Sequence, residues 1–141
     1  MSEDNVEVVR KIYEAAANRD AAAIFDLYDV DVVLDGSRVA LPGNQMVYRG
    51  HPGVREFFRI WHEAWGQVEY DYEELIDAGR DRVVAVVNRH VRGRKSDLGL
   101  ERRFALVWTV RAGRAIRVVW FLSRADALEA ARLPEPGETP R

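Results

Sequence analysis

The chain has 141 residues, no cysteine and a net charge of −2; disulfides and thiolate chemistry are excluded, and nothing marks a general polyanion binder. That length suits one domain, able to bury roughly two-thirds of its unfolded surface without a covalent staple. The start, "MSEDNVEVV", is acidic where a signal peptide is basic, and apolar runs such as "VVAVV" stop at five residues, so a cytoplasmic protein with no membrane partner is expected.

Taken in chain order, Val6, Val9, Tyr13 and Ala16 recur at helical spacing and predict a helix over 3–17. "NRD" breaks it, and Asp20 can cap a second, short helix through Ile24, Leu27 and Tyr28. "DVVLDGS" (31–37) reads as a short strand ending in a turn, and "MVYRG" (46–50) as another. Pro52 suits the first turn of a helix over 52–65. After Gly66 the pattern changes to strands near 67–77, 82–94, 99–111 and 114–123, parted by glycine-containing reversals. "RADALEAARL" (124–133) is made of good helix formers, and "LPEPGETPR" (133–141) reads as a disordered tail. Helices first and a meander afterwards predict a single α+β domain over 1–132.

Both faces of the last two strands are mostly apolar. Phe104, Leu106 and Trp108 alternate with Ala105, Val107 and Thr109, and Val119 and Phe121 alternate with Val118, Trp120 and Leu122. Helices can cover one face. Val107, Val118, Trp120 and Leu122 are assigned to the other, which predicts a homodimer through that outer face with Trp120 as its anchor.

On the 52–65 helix, Val54, Phe57, Phe58, Trp61 and Trp65 form one stripe, with His62 at its edge. Val54 and Phe57 read as core. Trp61, His62 and Trp65 read as either core or pocket wall. Asp35, following "VVL", is the best acid–base candidate if it points inward, and otherwise caps the turn with Gly36 and Ser37. Asn88 and His90 share a strand face, on the surface or in a pocket, and His51 belongs to the turn before its helix. The three histidines lack short ligand spacing, and no glycine-rich phosphate loop is present, so no metal and no cofactor are expected. "RHVRGRKS" (89–96) is basic but has no interleaved aromatics, which argues against nucleic acid.

The order of two helices, a short strand, "YRGHPGVREFF" and a meander closing on "RAGRAIRVVWFLS" resembles the nuclear transport factor 2-like superfamily. "NRDAAAIFDLYDVDVVLDG" most resembles its SnoaL-like branch, and the resemblance spans roughly residues 5 to 130. It implies a cone: a curved antiparallel sheet wrapped around three helices, enclosing an apolar pocket. Relatives of this kind include polyketide cyclases, ketosteroid isomerases, epoxide hydrolases, dehydratases and modules without catalysis, so the fold does not name the function. The isomerases pair an aspartate base with a tyrosine and a protonated aspartic acid. Carried over, those positions fall on Gly36, Ile12 and Leu106, with Asp35 and Tyr13 one place from the first two. The usual acids are therefore missing, unless Asp35 and Tyr13, with His62, supply proton transfer. The resemblance further places Ser123 inward, beside a lining of Tyr13, Phe58, Trp61, His62, Trp65, Phe104, Leu106 and Trp108. Three readings follow: a binder of a small hydrophobic molecule, an isomerase, cyclase, dehydratase or hydrolase acting on such a molecule, or an interaction module whose rings fill their own pocket.

Overall fold

Two helices, α1 (Ser2–Ala17) and α2 (Ala21–Leu27), meet at a corner that the sequence builds from backbone and one carboxylate. Arg19 takes the left-handed conformation (φ 54°), and the Asp20 and Arg19 N–H groups donate to the Ala15 and Ala16 carbonyls at 2.9 and 3.2 Å, a Schellman closure. Asp20 then caps α2, accepting from the Ala23 N–H at 3.1 Å. The computed structural model describes the backbone of residues 2–39, 46–65, 67–92 and 99–132, and side chains within 5–39, 46–60, 72–88 and 103–132. The expected tail at 133–141 and most of the basic "RHVRGRKS" segment lie outside the described residues.

The remaining elements are β1 (Tyr28–Asp35), β2 (Val47–Arg49), α3 (Gly50–Trp65), β3 (Gln67–Gly79), β4 (Arg82–Arg92), β5 (Gly99–Arg111), β6 (Arg114–Phe121) and α4 (Arg124–Ala131). Six strands form one curved, unclosed sheet in the order β2-β1-β6-β5-β4-β3, so the fold is α+β as expected. The meander β3 to β6 is antiparallel. One pairing departs from an all-antiparallel sheet: β1 runs parallel to β6, because the chain reaches it through α3 and the whole meander. Among the described residues, no helix is long and apolar enough to cross a membrane.

The sheet has two buried faces. Val83, Ala85 and Val87 of β4, Phe104, Leu106 and Trp108 of β5, and Val118 and Trp120 of β6 pack with α1, α2 and α3 on the inner face. Val84, Ala105, Val107 and Phe121 pack on the outer face against Ala127 and Ala131 of α4. Two alanines let that helix lie close to the strands. Arg82, 2% exposed, donates from Nη1 to the Ala131 carbonyl at 3.0 Å and so caps the negative end of α4.

This arrangement corrects the expected dimer face. Val118 and Trp120 are on the inner face, and Val107 is covered within the chain; of the four residues assigned outward, Leu122 is the one left exposed, at 54%. The cause is a single extra residue. Arg111 pairs with Arg114 and Val110 with Ala115, but Thr109 then pairs with Arg117, leaving Ile116 bulged. An unbulged ladder would set Val118 opposite Val107. The bulge sets it opposite Trp108, and every later side chain of β6 changes face. Three of the four apolar groups that called for a second subunit are thus buried within one chain.

The β5–β6 reversal is a two-residue turn with both central residues at positive φ, Ala112 at 53° and Gly113 at 78°, the geometry that favours Asn-Gly. Alanine lacks the side-chain hydrogen bond that eases asparagine into this region. Ala112→Asn is expected to raise stability by about 0.5–1 kcal/mol, read as a higher urea midpoint at unchanged slope.

Candidate functional site

The inner face and the helices line a cavity of about 50 Å³. The described part of its wall takes one or a few side chains from each of α1, α2, α3, β1, β4, β5 and β6. Ile12, Tyr13 and Ala16 come from successive turns of α1, Ile24 from α2, and Phe57 and Phe58 from α3. Tyr28 and Leu34 come from the two ends of β1, and Val87, Phe104, Leu106, Trp108 and Trp120 from the meander. No carboxylate, guanidinium or imidazole stands among these residues, so the wall offers aromatic faces and a few hydroxyl and indole groups.

Trp108 organises the polar side of this wall. Its indole Nε1–H donates to the Tyr13 hydroxyl oxygen at 3.1 Å across 95 residues of sequence. The Tyr13 ring meets the indole edge-on at 5.7 Å, and Tyr28 stacks on it at 6.0 Å and 28°. Indole can donate only, so the Tyr13 oxygen accepts in this pair, and the tyrosine is oriented by a buried partner. At the far side, Trp120 leans on Phe57, centroids 5.4 Å apart.

Of the residues expected to line a pocket, Tyr13, Phe58, Phe104, Leu106 and Trp108 stand in the cavity wall. The side chains of Trp61, His62, Trp65 and His90 lie outside the described residues. Ser123 is not in the wall. It follows β6 and caps α4, its hydroxyl accepting from the Asp126 N–H at 3.1 Å, exposed to solvent.

Asp35 is also placed elsewhere. Leu34 lines the cavity, and strand alternation turns the next side chain to the outer face, where Asp35 pairs in register with Val119. Its Oδ1 accepts from the Ser37 N–H at 3.0 Å and the Ser37 hydroxyl at 2.6 Å, and Oδ2 lies 3.4 Å from Arg117 Nη2. Partial burial pushes this carboxyl upward, but the two Ser37 bonds and the Arg117 and Arg38 charges outweigh it and hold it below the ordinary carboxylate value. It closes a turn and is ionised, the opposite of a buried general acid.

A pH test follows from that direction. A carboxyl held low when folded stabilises the fold above its unfolded value, about 3.9, and the contribution is lost as pH falls through the folded value. Asp35→Asn should therefore cost about 1–2 kcal/mol at pH 7, and the gap between the two proteins should narrow in denaturant titrations as pH falls below about 4.

Asn88 is half-buried, donating to Glu73 at 2.8 Å, and the neighbouring Val87 is the one that faces the cavity. His51 contacts the Tyr28 carbonyl through Nε2 at 2.9 Å, tying the start of α3 to β1. Among the described residues, no three histidine, aspartate or glutamate side chains converge as a metal site would need. Wall residues that sequence reasoning did not single out include Leu34, Tyr28 and Trp120. Leu34 was available from alternation, since Leu34 and Asp35 cannot share a face; Trp120 was hidden by the bulge at Ile116.

The family model of the SnoaL-like domain matches residues 9–118. The chain belongs to this family. Among solved structures, this SnoaL-like protein is similar to TerC, crystallised with polyporic acid, at 24% identity over 92% of this chain and 99% of that one, with a TM-score of 0.73. It is similar to a Mycobacterium tuberculosis protein solved in complex with estradiol-17β-hemisuccinate, at 15% identity over 86% and 95%, TM-score 0.71. It is also similar to SalBIII, an epoxide hydrolase/cyclase-like enzyme of pyran-ring formation in the polyether salinomycin, at 18% identity over 89% and 97%, TM-score 0.70. At these identities the likeness shows the shared fold. A search of the curated proteins found no match.

Proposed function

We propose that this SnoaL-like protein binds a small, uncharged, largely apolar molecule in the cavity beneath Trp108. The observation that carries the reading is the wall itself: thirteen described side chains, none of them a carboxylate, guanidinium or imidazole, around one space. A charged ligand would lose its hydration there without a counter-charge, at a cost of several kcal/mol. An apolar one gains roughly 25 cal/mol for each Å² it removes from water. A ligand burying about 200 Å² would gain roughly 5 kcal/mol on that scale, which corresponds to sub-millimolar binding before association costs. That TerC was crystallised with polyporic acid and the Mycobacterium tuberculosis protein with estradiol-17β-hemisuccinate supports a role in binding small organic molecules.

Binding without acid–base catalysis is the favoured form. Leu106 stands in the wall where the resemblance puts an acid, and Asp35 is turned away and held ionised. Both observations support a carrier or sensor over an isomerase or cyclase of the aspartate type. The test is a thermal-shift and titration screen of neutral aromatic, terpenoid and polyketide-like compounds at up to millimolar concentration, each binder then being assayed for turnover. Binding without turnover, unchanged in Asp35→Asn, is the expected result. Turnover abolished by Asp35→Asn would overturn the carrier form, and the absence of any binder would overturn the reading as a whole.

A further inference from the structure

Two residues of the cavity wall differ from the other eleven described. Tyr13, Tyr28, Leu34, Phe57, Trp108 and Trp120, like the rest, are at most 8% exposed, whereas Ala16 on α1 and Phe58 on α3 are only half-buried. A side chain that both lines a cavity and meets solvent marks where the cavity reaches the outside. The packing of the helices agrees. α1 packs on α2 and on the sheet, and α3 packs on β1, β2 and β3, but among the described residues the two helices form no comparable interface with each other.

We propose that the cavity opens between α1 and α3, and that Phe58, with Ala16 on the other rim, sets the size limit of the ligand that enters. The inference rests on the binding reading above. Its physical basis is a mismatch of size. The cavity measures about 50 Å³, whereas an engineered apolar cavity that binds benzene in another protein measures about 150 Å³. A ring-sized ligand therefore enters only if a wall side chain gives way. The buried wall residues are packed on all sides, and displacing one forfeits close contacts. Phe58 meets Phe57 edge-on at 5.5 Å and 73° and packs against the core, yet it stays only half-buried. Rotation of such a half-exposed ring falls in the picosecond-to-nanosecond range typical of exposed rotamers. Ala16 is too small to close the opening by itself. Its small side chain leaves the width of the mouth to the phenylalanine.

The experiment compares wild type, Phe58→Ala and Ala16→Phe, each first checked for native circular dichroism and cooperative melting, against benzene, indole and 2-naphthol. Dissociation constants are measured by calorimetry or by NMR titration. Phe58→Ala should bind 2-naphthol at least about tenfold tighter than wild type with benzene changed by less than about threefold, and Ala16→Phe should weaken 2-naphthol about tenfold. Binding of any probe by Phe58→Ala where wild type binds none would support the gate equally. If wild type binds the probes and their ranking is the same in all three proteins, the gate is wrong while the binding reading stands. If no probe binds any of the three, both fall.

Discussion

Val118→Asp should abolish cooperative folding at neutral pH, while Val119→Asp, one residue along, should leave a folded protein. Val118 is fully buried on the inner face, opposite Trp108 on β5 and beside Leu34 on β1. The substitution loses the burial of an aliphatic side chain, about 1.5–3 kcal/mol, and places a polar group where no partner waits, a further cost of about 1–3 kcal/mol. The sum, about 2.5–6 kcal/mol, reaches the lower part of the roughly 5–15 kcal/mol that holds a domain of this kind together, and the buried carboxylate's charge at neutral pH adds to it. The loss should ease in acid. Burial raises the folded carboxyl above its unfolded value, so the destabilisation grows as pH climbs past about 4 and shrinks below it. Val119 is on the outer face and only partly buried, and its substitution should cost about 1–2 kcal/mol. Urea titrations of both variants at pH 3.5 and 7 decide the matter. Equal and mild effects would mean that the bulge at Ile116 is misplaced and that β6 presents Val118 outward.

The second large effect is expected at Trp108. Trp108→Ala should cost about 3–5 kcal/mol, the range for removing a buried aromatic ring, and should abolish binding of any ligand that the cavity takes. The size of the effect follows from its neighbours: 3% exposed, it supports Tyr13 from one side and Tyr28 from the other. Trp108→Phe separates packing from polarity. It keeps a ring in place but removes the only group that donates from the indole to Tyr13, worth about 1 kcal/mol in stability. A double-mutant cycle with Tyr13→Phe should return a coupling of about that size. A coupling near zero would show that the 3.1 Å contact does not orient the tyrosine.

Much of this fold is legible in the residues, and the misses have identifiable physical causes. Helical periodicity from Val6 to Ala16, the Asp20 cap and the glycine-marked reversals place the helices and the meander within a few residues of their observed bounds. Alternation in "LERRFALVWTV" identifies Phe104, Leu106 and Trp108 as one face, which is the face lining the cavity. What alternation cannot carry is parity across a turn. Ile116 is one residue too many for the ladder, nothing in its chemistry announces that, and the error propagates to Val118 and Trp120. Ser123 misleads for a related reason: the strand ends before it, and its hydroxyl serves the first turn of α4. Asp35 was the ambiguous case, and the residue beside it resolves it. With Leu34 required by the core, its neighbour has to leave it.

The parallel pairing of β1 with β6 joins segments far apart in sequence, and this bears on how the molecule is assembled. Each hairpin of the meander joins strands that adjoin in sequence, whereas Tyr28 finds Ala115 and Leu34 finds Val118 only after the chain between them has been laid down. Loop closure over such a span is entropically dearer than closing a two-residue turn, and contacts of long sequence separation are slow to form. The meander is thus the natural scaffold on which the N-terminal strand docks late. Because Tyr28 and Leu34 belong to the cavity wall, an early meander would carry an open apolar face rather than a chamber. The hollow at the centre of the protein is therefore complete only once β1 has docked on β6.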